Sequence, residues 1–113
     1  MNLYEETTKA LADHNKTWDD VSYIVSILGD DPVEYAIPVY FFIMAAKRIN
    51  YDNGYGGQEI NPYLAIVGDT WWLERSEYDG AEWWEFKTRP RWVVKTADTP
   101  EVIKKLILAY RGD

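Results

Sequence analysis

The stretch Trp71-Trp72-Leu73-Glu74-Arg75-Ser76-Glu77-Tyr78-Asp79-Gly80-Ala81-Glu82-Trp83-Trp84-Glu85-Phe86-Lys87 decides the fold. Asp-Gly between two runs of alternating apolar and charged residues is the strongest short-range signal for a β-hairpin, because Asp and Gly tolerate the turn conformations that other residues resist. With a two-residue turn at Asp79-Gly80, Leu73 faces Phe86, Arg75 faces Trp84 and Trp71 faces Thr88, a mostly apolar face that should meet the core. The opposite face then carries Trp72, Glu74, Ser76, Trp83, Glu85 and Lys87, with Glu74 directly across from Glu85. A three-residue turn with a bulge is the alternative and pairs Trp72 with Phe86 and Arg75 with Trp83. The first register is preferred because it separates the two faces more cleanly.

On the N-terminal side of the hairpin, Tyr63 to Val67 is a short apolar run ending at Gly68-Asp69 and reads as a central strand. Asn53-Gly54-Tyr55-Gly56-Gly57 is a loop by composition. It lacks the Asp-x-Asp-x-Asp-Gly spacing of a calcium loop, and no suitable strand precedes it as in a phosphate-binding loop. Pro38 suits the first turn of a helix reaching about Asn50, whose residues Val39 to Ala46 are apolar on every side and therefore expected to be buried. A buried strand over 39–44 is the alternative, since periodicity alone does not separate the two. Val21 to Leu28 reads as a strand, Gly29-Asp30-Asp31-Pro32 as a turn and Glu34 to Ile37 as a short returning strand. Leu3, Thr7, Ala10, Leu11 and His14 recur at helical spacing, and Thr17-Trp18-Asp19-Asp20 resembles a capping box.

Beyond the hairpin, Trp92 to Lys95 reads as a further strand. Thr99-Pro100-Glu101 opens a helix with apolar positions Val102, Ile103, Leu106, Ile107 and Tyr110, ended by Gly112. The order predicts a single α+β domain over residues 1–113: an antiparallel sheet of four to six strands with helices packed on one face. The expected core is Ile24, Phe42, Ile43, Ile66, Val67, Leu73, Phe86, Val94, Ile103, Leu106 and Ile107.

Hydrophobic residues make up 47% of the 113, enough for a core without disulfides or metal, and no cysteine is present. No zinc-thiolate site or thiol nucleophile can therefore exist, and no cofactor is expected. His14 is the only histidine and ends a predicted helix, so neither a His-based metal site nor a Ser-His-Asp arrangement stands out. The longest apolar stretch, Val39 to Ala46, is far short of the roughly 20 residues that span a bilayer. The opening Met1-Asn2-Leu3-Tyr4-Glu5-Glu6 has no basic, apolar signal pattern; the expectation is a cytoplasmic protein with no membrane partner. Net charge is −7, unevenly spread: residues 1–85 hold 16 acidic and 5 basic groups, a net of −11, whereas residues 86–113 hold 7 basic and 3 acidic, a net of +4. An acidic body repels phosphates, so direct nucleic-acid binding is not expected; it attracts basic surfaces, including those that hold nucleic acid.

Through Tyr51-Asp52-Asn53-Gly54-Tyr55-Gly56, Gln58-Glu59-Ile60, Ile66-Val67-Gly68-Asp69, Trp71-Trp72-Leu73-Glu74-Arg75, Glu77-Tyr78-Asp79-Gly80 and Glu82-Trp83-Trp84-Glu85-Phe86-Lys87, the chain resembles a group of small acidic proteins from bacterial mobile elements and phages. The likeness covers about residues 51–87, a third of the chain. It supplies no catalytic residue; it implies a genomic context in which small acidic proteins are often inhibitors of host defence nucleases, anti-CRISPR proteins among them. By that analogy the chain acts in the cytoplasm of the host cell.

Three functional readings follow. The leading one is a non-catalytic acidic binding protein that occupies the basic, nucleic-acid-binding surface of a defence nuclease through Trp72, Glu74, Trp83 and Glu85, with the acidic turn Asp30-Asp31 as a further contact. At least one of Trp72 and Trp83 should remain partly exposed. The second is a small hydrolase using Glu74 and Glu85 as a carboxylate pair. The third is a structural or assembly component that self-associates through exposed tryptophans; the sequence leaves the oligomeric state open.

Overall fold

The computed structural model describes residues 1–52, 54, 56–89 and 98–108. Its elements run α1 (Leu3–Ala12), a 3-10 turn (Trp18–Asp20), β1 (Tyr23–Ile27), β2 (Glu34–Ile37), α2 (Val39–Ala46), β3 (Ala65–Val67), β4 (Trp71–Tyr78), β5 (Ala81–Thr88) and α3 (Pro100–Ile107). The chain is α+β, with one five-stranded antiparallel sheet in the order β2-β1-β3-β4-β5. The expected strand Trp92–Lys95, the core position Val94 and the helix end at Tyr110–Gly112 lie outside the described residues.

The hairpin adopts the two-residue register: Leu73 pairs with Phe86, Glu74 with Glu85 and Arg75 with Trp84. Asp79 (φ 52°) and Gly80 (φ 87°) both take positive φ, the type I′ geometry whose twist matches the flanking strands. Ile37, Ile24, Ile66, Leu73 and Phe86 form one row across all five strands on the inner face. Over that row α1 presents Leu3, Thr7 and Leu11, and α2 presents Phe42 and Ala46. Asn2 caps α1 through the Glu5 N–H, and the segment before α1 is pinned by reciprocal backbone bonds between Met1 and Tyr51. Gly68 allows Trp71 to fold back over the chain: a Cβ there would lie 2.1 Å from the indole. Among the described residues, no helix is long and apolar enough to cross a membrane.

Several core expectations fail. α2 is not buried all round: Tyr40 is 69% and Phe41 62% exposed, and Met44 is exposed beside them, because among the described residues no element lies outside α2 to cover its far side. α3 has no buried residue along its described length, so Ile103, Leu106 and Ile107 are not core residues. The sequence pattern marks α3 as amphipathic, but an apolar stripe says only that a helix has something to bury and does not say against what. Ile43, Val67 and Phe86 are half-buried rather than central; Val67 points to the other side of the sheet from Ile66, and Phe86 packs against the edge of the core.

Candidate functional site

The two tryptophan doublets split across the sheet as strand alternation requires. Trp71 and Trp84 are buried on the inner face, whereas Trp72 is half-buried and Trp83 is 41% exposed on the outer face. Glu74, Ser76 and Glu85 share that outer face, which no helix covers among the described residues. Glu74 and Glu85 stand directly opposite, as expected, but the pair is not left to repel. The Lys87 ammonium sits 3.7 Å from Glu74 and 3.8 Å from Glu85, and the Ser76 hydroxyl donates to Glu85. The patch therefore carries two carboxylates, one ammonium and an exposed indole, for a net charge of −1.

Asp30 and Asp31 do not join this patch. They occupy the β1–β2 turn, and the sheet order puts β3 between that hairpin and β4–β5. The Asp31 carboxylate accepts the Val33 N–H at 3.0 Å, an Asx-turn that gives the residue a local structural role. The Gly-rich loop meets the hairpin tip: a Cβ on Gly80 would approach the Gly56 carbonyl oxygen to 2.5 Å, so the tip needs glycine both for its φ and for this contact.

Behind the outer face lies a buried charged cluster. Arg75 is on the inner face with a fully buried side chain, donating to Glu82 at 2.8 Å, to the Tyr51 hydroxyl at 3.0 Å and to Glu6 at 3.2 Å. Its guanidinium stacks over the Trp84 ring at 4.6 Å. Tyr51 donates in turn to Glu6, and Glu82 also accepts the Glu59 and Ile60 N–H groups at 2.6 and 3.2 Å. Trp84 donates to Thr7 at 2.9 Å, and Thr7 donates to the Leu3 carbonyl. Burial, followed by the bond to Glu6, holds the Tyr51 hydroxyl well above the usual tyrosine range against the opposing pull of Arg75. Burial alone would lower Arg75, but its bonds to Tyr51 and Glu82 and the charge of Glu6 outweigh it and raise the pKa.

This cluster ties α1, Tyr51, the 59–60 segment and the hairpin into one unit, so the outer face is presented on a rigid support. The sequence reading missed its hairpin half, although a signal was there: a charged residue on a face that meets the core demands a buried counter-charge, and alternation puts Glu82 on Arg75's side. Glu6 and Tyr51 come from distant segments and left no local signal.

A separate groove of about 370 Å³ runs beside α2 and is lined by Phe41, Phe42, Ile49, Leu64, Ile37 and Glu59 among others. Glu74 and Glu85 are not part of it. Comparisons with protein-family models, with curated proteins and with solved structures each find no match.

Proposed function

We propose that this chain is a non-catalytic acidic binding protein whose outer hairpin face docks a basic, arginine-bearing protein surface. The observation that carries the reading is Trp83. It sits on a strand paired with β4 along its whole length, with Glu82 and Trp84 buried on the inner face, yet the residue stays 41% exposed beside Glu85. An exposed strand position gains little stability from a bare indole, whereas an arginine can stack on that ring and fork onto the neighbouring carboxylate at once. The −11 balance of residues 1–85 supports the same partner class by drawing basic surfaces from a distance. In the mobile-element setting implied by the resemblance of residues 51–87, the partner is a nucleic-acid-binding groove of a host defence nuclease.

The test is affinity capture from the native host, comparing the wild type with Trp83→Ala and with Glu74→Gln/Glu85→Gln. The reading expects one nucleic-acid-binding protein to be retained by the wild type, released by rising salt, displaced by duplex DNA and lost with either variant. Capture that is unchanged in both variants, or that recovers no basic protein, would overturn it.

A further inference from the structure

Strand β2 is an edge of the sheet: among the described residues it pairs with β1 alone. Strand alternation says which of its backbone groups are left unpaired. The Gly68 N–H donates to the Trp71 carbonyl at 2.9 Å, so Gly68 with Trp71, and Ile66 with Leu73, are hydrogen-bonded pairs. Ala65 and Val67 therefore turn their backbone groups to β1, Ile24 and Ser26 turn theirs to β2, and Ile37 and Tyr35 answer them. The N–H and C=O of Glu34 and Ala36 are then directed away from the sheet, on residues that are themselves exposed. An edge of this kind is a template for another strand.

The two ends of this strand say which strand fits. Pro38 alone separates β2 from α2, and the N-terminus of α2 has neither a side-chain cap nor an acidic residue in its first turn. Its first N–H groups and the positive end of its dipole therefore lack an anion. The acidic turn Asp30-Asp31 lies just before the other end of the same strand. When β2 pairs antiparallel with its own copy, the start of one strand lies beside the end of the other, and each acidic turn arrives at an uncapped helix. A strand with complementary features at its two ends meets the requirement of an isologous contact. Val33 and Tyr35, 53% and 49% exposed, lie on the same edge and supply apolar surface to bury.

We propose that two copies of the chain associate through antiparallel pairing of β2 with β2, with Tyr35 facing Tyr35 of the partner subunit on the two-fold axis. In that register Glu34 exchanges both backbone bonds with the partner's Ala36, and Val33 sits beside the partner's Ile37, where Ile37 and Phe41 line the α2 groove. Facing residues must share a sheet face, so the neighbouring registers differ by a whole residue of axis position. With Ala36 on the axis, Glu34 meets the partner's Pro38, which has no N–H to give. With Glu34 on the axis, two like charges stand opposite each other. Pro32 and Pro38 stop the ladder at both ends, so the edge takes one short partner and does not extend further. β2 and β5 are opposite edges of the sheet, so Trp83 and Glu85 stay open and this contact is independent of the partner proposed above.

The test uses the full chain at near-physiological salt, where repulsion between two copies of net charge −7 is screened beyond about 8 Å. Sedimentation velocity across micromolar to submillimolar concentrations should show a monomer–dimer equilibrium. Ala36→Pro removes only an outward N–H, a change that an edge strand tolerates, and should weaken the dimer at least about tenfold in a chain that still folds. Asp30→Asn/Asp31→Asn should weaken it about threefold or more, and Trp83→Ala should leave it intact. Facing residues of a non-hydrogen-bonded pair have Cα atoms about 4.5 Å apart, within disulfide range. The chain has no cysteine of its own, so Tyr35→Cys should oxidise to a disulfide between chains much faster than Tyr78→Cys at the exposed hairpin tip. A wild type that stays monomeric throughout would overturn the proposal. So would a folded Ala36→Pro chain that dimerises as before, or Tyr35→Cys crosslinking no faster than Tyr78→Cys; should Ala36→Pro fail to fold, the two crosslinking rates decide alone.

Discussion

Replacing Arg75 with methionine keeps the aliphatic stem packed and removes only the guanidinium, so it isolates the buried charge cluster. The side chain is fully buried and makes three hydrogen bonds of 2.8 to 3.2 Å, two to carboxylates and one to the Tyr51 hydroxyl. Loss of the cation strands the fully buried Glu82 and the nearly buried Glu6, and removing one member of such a pair costs about 3–5 kcal/mol. For a domain of this size that is a fall of roughly 12–20 °C in melting temperature. Glu82 has further work to do, because it also holds the Glu59 and Ile60 N–H groups. Arg75→Met/Glu82→Leu should therefore recover little of the loss, whereas a simple ion pair replaced by apolar residues would recover most of it. Urea unfolding followed by tryptophan fluorescence measures all three proteins. Arg75→Met within about 1 kcal/mol of the wild type, or a double variant restored to wild-type stability, would refute the assignment of this cluster as the clamp between α1 and the hairpin.

The other predictions concern packing, turns and pH. Gly68→Ala drives a methyl into the Trp71 indole and should cost about 1–3 kcal/mol, read from the shift of the urea midpoint. Gly80→Asn, which tolerates positive φ, should still destabilise because its Cβ meets the Gly56 carbonyl; an unchanged melting temperature would show that contact to be absent. Phe42→Ala should cost roughly 3–5 kcal/mol, whereas Phe41→Ala, its exposed neighbour on α2, should stay within about 0.5 kcal/mol. Tyr51 holds its proton more tightly when folded than its ordinary value of 10.0 allows. Its contribution is therefore fully present below about pH 10 and declines as pH rises above it, since the unfolded chain then releases the proton first. Tyr51→Phe should flatten the fall in stability above that pH, as measured by unfolding at stepped alkaline pH.

The hairpin was readable almost residue by residue, because Asp79-Gly80 fixes a turn and a period of two fixes everything on either side of it. The split of the doublets into buried Trp71 and Trp84 and outward Trp72 and Trp83 followed from the same alternation. The surroundings of α2 and α3 were not readable, since a hydrophobic stripe is a local property and its burial depends on which distant element arrives. For the same reason the reach of Lys87 to both Glu74 and Glu85 was not readable, nor was the separation of Asp30-Asp31 from the hairpin by β3.

The central claim is that the outer hairpin face is the binding surface, and hydroxyl-radical footprinting of the captured complex tests it most directly. Bound and free chain are oxidised side by side, and modification is read at single residues by mass spectrometry. The account predicts that Trp83 oxidation falls sharply on binding while Tyr40 and Phe41, exposed on α2, are modified as before. Unchanged oxidation of Trp83 together with protection of Tyr40 and Phe41 would contradict it and move the binding surface to α2.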